Sequence, residues 1–208
     1  MSGNVVVLGA AGRTGRLIVA EALRGGHRVT AAVRDPASMP ATPGLRVERA
    51  DVRDTGSLRA VIQGHDAVVC AIGPAGRKAG NLYSDAARAT VAAMRACGAH
   101  RLLAITSVGV RLDDPHHAWW YRALIRPIGA DLYADMARME RIVRDSDLDW
   151  TFVRPTHLRD REPTGTYRVS EDSTPEGGRR ITRADVARFI VEELEAHRWS
   201  RRAPSLAE

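Results

Sequence analysis

The sequence predicts an α/β protein with a doubly wound, mostly parallel sheet, on three observations. Short apolar runs rich in β-branched residues alternate with segments of helical periodicity along most of the 208 residues. The runs are apolar throughout, as strands buried on both faces of a parallel sheet must be. Glycine or proline punctuates the joints, and strand–helix–strand units of this kind join parallel strands through right-handed crossovers.

The elements follow in order. Residues 4–9 read as a first strand ending at Gly9. Leu17, Ile18, Ala20, Ala22 and Leu23 supply the apolar positions of a first helix, which Gly25-Gly26 ends. Residues 28–33 and 45–50 are the next strands, separated by a Pro/Gly-punctuated connection at 36–44. A short helix at 55–63, a fourth strand at 66–72 and an alanine-rich helix at 85–96, closed by Gly98, come next. A strand at 101–107, a helix at 132–144 and a strand at 148–153 complete the alternation. Thr182 and Asp185 form a capping box for a last helix that gathers Val186, Phe189, Ile190 and Leu194 on one face. The whole chain, 1–208, reads as one domain, with a variable segment at about 108–130 and a frayed tail after Trp199.

Composition narrows the function classes. The formal net charge is +6, but the arginines are interspersed with acidic residues, and only Arg179-Arg180 and Arg201-Arg202 form pairs. That pattern argues against a nucleic-acid partner, which needs clustered cations to neutralise phosphates. No stretch reaches the roughly 18 to 20 apolar residues of a membrane span, and the chain enters a strand almost at once, so the expectation is a cytoplasmic protein with no membrane partner. Cys70 and Cys97 lack metal or redox spacing and read as free thiols in a reducing compartment.

Gly9-Ala10-Ala11-Gly12-Arg13-Thr14-Gly15 lies between the first strand and the first helix. A loop in that place must turn sharply, admit a pyrophosphate to its backbone and pack the helix against the strand, and glycine meets all three demands. Phosphates then sit at the positive end of the helix, with Arg13 and Thr14 as additional donors. This makes the fold Rossmann-type and the ligand a nicotinamide dinucleotide. The end of the second strand offers Asp35 for an adenosine ribose and Arg34 for a 2′-phosphate, which Arg13 can also face. Two cations against a carboxylate that precedes Pro36 favour NADPH over NADH. Asp51 and Val52 are placed to contact the adenine edge, and Ala71, Ile72 and Gly73 to bring bare backbone near the ribose. The alternative is that Asp51 caps the following helix and Gly73 only turns the chain.

Ordinary short-chain dehydrogenases pair a tyrosine with a lysine four residues on, the lysine lowering the phenol pKa. Here Tyr83, Tyr121, Tyr133 and Tyr167 are followed at that spacing by Ala87, Ile125, Ala137 and Glu171, and Lys78 is the single lysine. What remains at the C-terminal strand ends is Thr106 and Ser107 after the fifth strand and His157 after the sixth. Ser107 can hydrogen-bond nicotinamide or acceptor; His157 can donate a proton or only line the pocket. His116-His117-Ala118-Trp119-Trp120-Tyr121 can serve as a lid, stack on a flat acceptor, pack in the core or form a subunit contact, and no further ligand at metal spacing accompanies its histidines.

The glycine loop, Val33-Arg34-Asp35, Gly64-His65-Asp66, Val91-Ala92-Ala93-Met94, Thr106-Ser107, Arg138 to Arg144, Arg154-Pro155-Thr156-His157 and Thr164-Gly165-Thr166-Tyr167 together resemble the atypical short-chain dehydrogenase/reductases, most of all their biliverdin-IXβ reductase and flavin reductase group. The resemblance implies an NADPH-dependent reductase of flat conjugated acceptors such as flavins, quinones or linear tetrapyrroles, with Ser107 and His157 at the acceptor. Hydride transfer to a ring held near contact distance asks little of the protein beyond proximity. The segment 113–128 departs from the group. A non-catalytic NADP-binding sensor of NmrA-like type is the competing reading; sugar-nucleotide epimerases normally need the missing Tyr/Lys pair. Monomer and homodimer are both open.

Overall fold

The computed structural model describes residues 3–74, 76, 80–116, 129–171 and 173–208. Five parallel strands in the predicted places begin the sheet: β1 (Asn4–Leu8), β2 (Arg28–Val33), β3 (Leu45–Arg49), β4 (Ala67–Cys70) and β5 (Arg101–Ile105), followed by β6 (Asp149–Pro155). The helices are α1 (Arg13–Arg24), α2 (Thr55–Ile62), α3 (Leu82–Cys97), α4 (Ala130–Arg144) and α5 (Arg183–Ala196). Short strands β7 (His157–Arg159), β8 (Arg168–Ser170), β9 (Arg180–Thr182) and β10 (Ser205–Ala207) complete the described elements. The main sheet runs β3-β2-β1-β4-β5-β6-β10-β8, all parallel except β8, which is antiparallel to β10. β7 and β9 pair separately, in parallel.

Strand periodicity explains the two-sided core. Val6, Leu8, Val68, Cys70, Leu102 and Ala104 face the layer of α2, α3 and α4, while Val5, Val7, Val69 and Leu103 face α1 and α5. In α1 the buried residues are Thr14, Gly15, Ile18, Val19 and Ala22, so Val19 replaces Leu17 and Ala20, which are exposed. The N-cap half of the expected box is present, with Thr182 Oγ1 accepting the amide of Asp185 at 3.0 Å, while the Asp185 carboxylate accepts the Thr182 hydroxyl at 2.7 Å and the Thr164 and Gly165 amides rather than the Thr182 amide. Cys70 and Cys97 are free, and burial pushes the Cys70 thiol up to about 12, well away from a reactive thiolate.

Polar groups lock elements that the apolar pattern leaves loose. Asn81 gives α3 no side-chain cap; Asp135 of α4, fully buried, instead accepts the amides of Tyr83 (2.7 Å) and Ser84 (3.4 Å) and the Ser84 hydroxyl (2.6 Å). This fixes α3 against α4 through a charge-assisted cap supplied by another helix. Arg101, at the start of β5, reaches Glu193 of α5 at 2.9 Å and Asp149 of β6 at 3.3 Å. Burial lowers the Arg101 pKa, and the two carboxylates work against that.

The tail is not frayed. Glu193 accepts the amides of Arg198 (3.1 Å) and Trp199 (2.8 Å), which turns the chain back, and Thr151 donates its hydroxyl to the Trp199 carbonyl at 2.7 Å. The chain then enters the sheet as β10, between β6 and β8, with Ser205, Leu206 and Ala207 buried. Replacing fully buried Leu206 by alanine should therefore cost about 2–5 kcal/mol in urea unfolding. A change within experimental error would show that the tail is peripheral to the fold.

Candidate functional site

Parallel pairing brings the C-terminal ends of β1, β2, β4, β5 and β6 to one edge of the sheet. The chain runs outward in opposite directions from β1 and β4, leaving a crevice between them, the place where open α/β sheets hold ligands. The glycine loop occupies it. Gly9 has φ +75°, and a Cβ there would lie 2.8 Å from the Ala71 carbonyl oxygen and 3.0 Å from Ile72 Cα. A Cβ on Gly15 would lie 2.3 Å from the Gly9 carbonyl oxygen, so only glycine lets α1 seat this closely on the loop. Gly12 is the N-cap of α1 and supplies no side-chain cap, so the amides of the first turn have no acceptor among the described residues. This cradle fits a dinucleotide pyrophosphate.

At the adenosine end, Arg34 directly follows β2, is exposed, and makes no side-chain hydrogen bond or ion pair among the described residues. Asp35 instead caps the short 3₁₀ turn Pro36–Ser38, accepting the Ala37 amide at 3.1 Å. Its carboxylate shapes a turn. Arg13 does not face this end: its guanidinium pairs with Asp160, in the loop after β7, at 2.6 Å. The cation beside Arg34's turn is Arg16, which sequence reasoning missed. Its Nε donates to the Ala11 carbonyl at 3.0 Å and its Nη2 to the Ser38 carbonyl at 2.5 Å, joining the glycine loop to the turn after β2. The signal available was its spacing, one helical turn from Gly12, on the same side as the loop.

Asp51 is exposed, accepts the Arg53 amide at 2.9 Å and leaves the capping of α2 to Asp54, which accepts the Ser57 amide at 2.6 Å. Asp51 is thus not the helix cap. Val52 and Ile72 pack partly buried on the α2–α3 side, and Ala71 on the other face, its amide bonded to the Leu8 carbonyl at 2.9 Å. Gly73 is exposed, and a Cβ there would meet only open space.

The Thr106 side chain turns into the fold. Its hydroxyl donates at 2.8 Å to Glu140, a fully buried carboxylate that also accepts Arg154 Nε at 3.0 Å and Arg144 Nη2 at 2.8 Å. The group is structural and fixes the exits of β5 and β6 relative to α4. Ser107, next along, is half-buried and opens the 3₁₀ turn Val108–Val110; its Oγ accepts the Gly109 amide at 3.1 Å, which leaves its proton free to donate. Tyr133 braces this turn from α4: a Cβ on Gly109 would lie 2.5 Å from the Tyr133 ring. His157 is exposed at the start of β7 and lines an open groove of about 460 Å³ together with Arg13, Arg159, Asp160, Arg161 and Arg183.

His116 Nδ1 meets the Thr174 carbonyl at 2.6 Å, and buried Asp114 accepts the amide and hydroxyl of Thr174 at 2.8 and 2.7 Å, so the start of the variable segment is pinned to the β8–β9 connection. Lys78 and residues 117–128, including His117, Trp119, Trp120 and Tyr121, lie outside the described residues. Tyr83 and Tyr167 have phenols shifted upward, chiefly by burial, the opposite of what a catalytic tyrosine needs. Among the described residues no helix is long and apolar enough to cross a membrane, and no cluster of three or more His, Cys, Asp or Glu could hold a metal.

Comparison with known proteins agrees with this geometry. A family model described as NAD(P)H-binding matches residues 9–197. An uncharacterised chloroplast protein of Arabidopsis thaliana is 31% identical over 92% of this chain and 71% of its own. The structure of SP1627 from Streptococcus pneumoniae TIGR4, described as a candidate NADH-flavin reductase, is 26% identical and superposes with a TM-score of 0.80 over all of both chains. A short-chain dehydrogenase/reductase of Veillonella parvula, solved in complex with NADP, shares the fold at a TM-score of 0.87 and 16% identity, covering all of this chain and 95% of that one. From the glycine loop through α5, this chain is a member of the NAD(P)H-binding family.

Proposed function

We propose that the protein is an NADPH-dependent reductase that passes hydride to a flat conjugated acceptor, a flavin, quinone or linear tetrapyrrole. The observation that carries this reading is the pairing of a dinucleotide cradle with a strand edge that offers one positioned hydroxyl and one exposed imidazole, without a tyrosine poised as a base among the described residues. Bound NADPH would supply the hydride. The loop backbone from Gly9 to Gly15 would hold the pyrophosphate, with Thr14 buried beneath it. Arg34, with Arg16 tied to the turn that follows it, would meet the 2′-phosphate, since Asp35 is engaged in that turn. Ser107 would orient the reacting rings by donating its hydroxyl proton, and its turn is held by Tyr133 and the Thr106–Glu140 anchor. His157 would hand a proton to the reduced acceptor, a role that bulk water can share at so open an edge. The description of SP1627 as a candidate NADH-flavin reductase supports the flavin class of acceptor.

Steady-state loss of the nicotinamide absorbance, with FMN, a simple quinone and biliverdin offered in turn, tests the reading. Turnover with NADPH that exceeds turnover with NADH is expected; tight NADPH binding without turnover on any acceptor would favour the NmrA-like sensor. Arg34→Glu should lower the NADPH-over-NADH preference by about tenfold or more through a lost charge-assisted contact and added repulsion. An unchanged preference would remove Arg34 from the phosphate site. Ser107→Ala should lower kcat for flavin reduction while NADPH binding, read by nicotinamide fluorescence, stays near wild type. Loss of binding instead would make Ser107 a structural residue.

A further inference from the structure

The groove beside the glycine loop carries more positive charge than hydride transfer requires. Arg13 enters it from the start of α1, Arg183 from the start of α5, and Arg159 and Arg161 from β7 and the loop after it. Four guanidiniums share this wall with a single lining carboxylate, Asp160, which spends Oδ2 on Arg13 at 2.6 Å and Oδ1 on Arg183 at 2.8 Å. Arg159 and Arg161 have no side-chain hydrogen bond or ion pair among the described residues. Cations gathered in a concave wall favour an anion, and planar guanidiniums suit phosphate and carboxylate above others. The groove begins at His157 and lies on the β6 side of β1, whereas Arg34 lies on the β2 side. It therefore continues the acceptor edge, away from the adenosine end.

We propose that this groove holds an anionic side arm of the acceptor, a phosphate or carboxylate carried a short distance from the flat ring, and that Asp160 occupies the anion position in the free protein. The inference rests on the reductase reading and sharpens it: among acceptors with the same ring, the protein selects the one with a negatively charged arm. FMN and riboflavin share one isoalloxazine ring and differ in the terminal phosphate, so they isolate the effect.

The test measures kcat/KM for both flavins at saturating NADPH, together with flavin binding by fluorescence quenching. FMN should be favoured about tenfold or more, and added salt should shrink that advantage. Arg161→Gln and Arg159→Gln should each reduce the FMN/riboflavin ratio severalfold, and Asp160→Asn should tighten FMN binding without tightening riboflavin. Equal use of both flavins would overturn the anion groove and leave the reductase standing. Reduction of neither flavin, with FMN and riboflavin bound equally, would overturn the anion groove and remove flavins from the acceptors, whereas loss of the reductase reading itself requires that quinone and biliverdin fail as well. Variants that weaken NADPH binding and leave the flavin ratio unchanged would assign the cations to the cofactor and overturn the proposal.

Discussion

The close seating of α1 on the loop before it is the constraint on which the site depends. With 2.3 Å between the Gly9 carbonyl oxygen and the place a Gly15 Cβ would take, no other residue lets the first helix start where it does. That seating aims uncapped amides at the crevice between β1 and β4, and the contact of Gly9 with Ala71 and Ile72 keeps the far wall at backbone distance. The dipole of a 12-residue helix then adds its positive end to the same point. Affinity for a pyrophosphate thus follows from packing, before any side chain contributes.

The edge that carries Ser107 and His157 is fixed by a different device, a set of buried charges satisfied from several elements. Glu140 holds Thr106, Arg144 and Arg154, and Asp135 holds the start of α3. A buried carboxylate is costly when alone, and breaking either group would strand a charge in the core, so these contacts act as registers for where β5, β6 and α4 end. Ser107 and His157, each within one to three residues of this network, inherit their positions from it.

The main strands, the helices and the glycine loop were legible in the sequence because local pattern determines them: apolar runs bounded by glycine, and 3.6-residue periodicity. The tail was not legible. Ser205–Ala207 is too short to show a period, and its order comes from Glu193 turning the chain at Trp199 and from the open edges of β6 and β8. Arg13 was misplaced and Arg16 missed for a related reason. Spacing puts Arg13 and Arg16 on the same helix turn, but only the fold shows that Asp160, distant in sequence, draws Arg13 toward β7 while Arg16 reaches back to Ser38. The Thr106–Glu140 contact was not legible because the two residues lie 34 positions apart in the chain.

The proposed reductase requires that hydride leave nicotinamide for a ring held at the Ser107–His157 edge. Anaerobic single-turnover mixing of the NADPH-loaded protein with FMN, followed at the flavin absorbance and repeated with NADPH deuterated at the transferring C4 position, tests it most directly. The flavin should bleach, and deuterium should slow the bleaching. A cofactor that stays bound and reduced while the flavin keeps its colour would contradict the transfer.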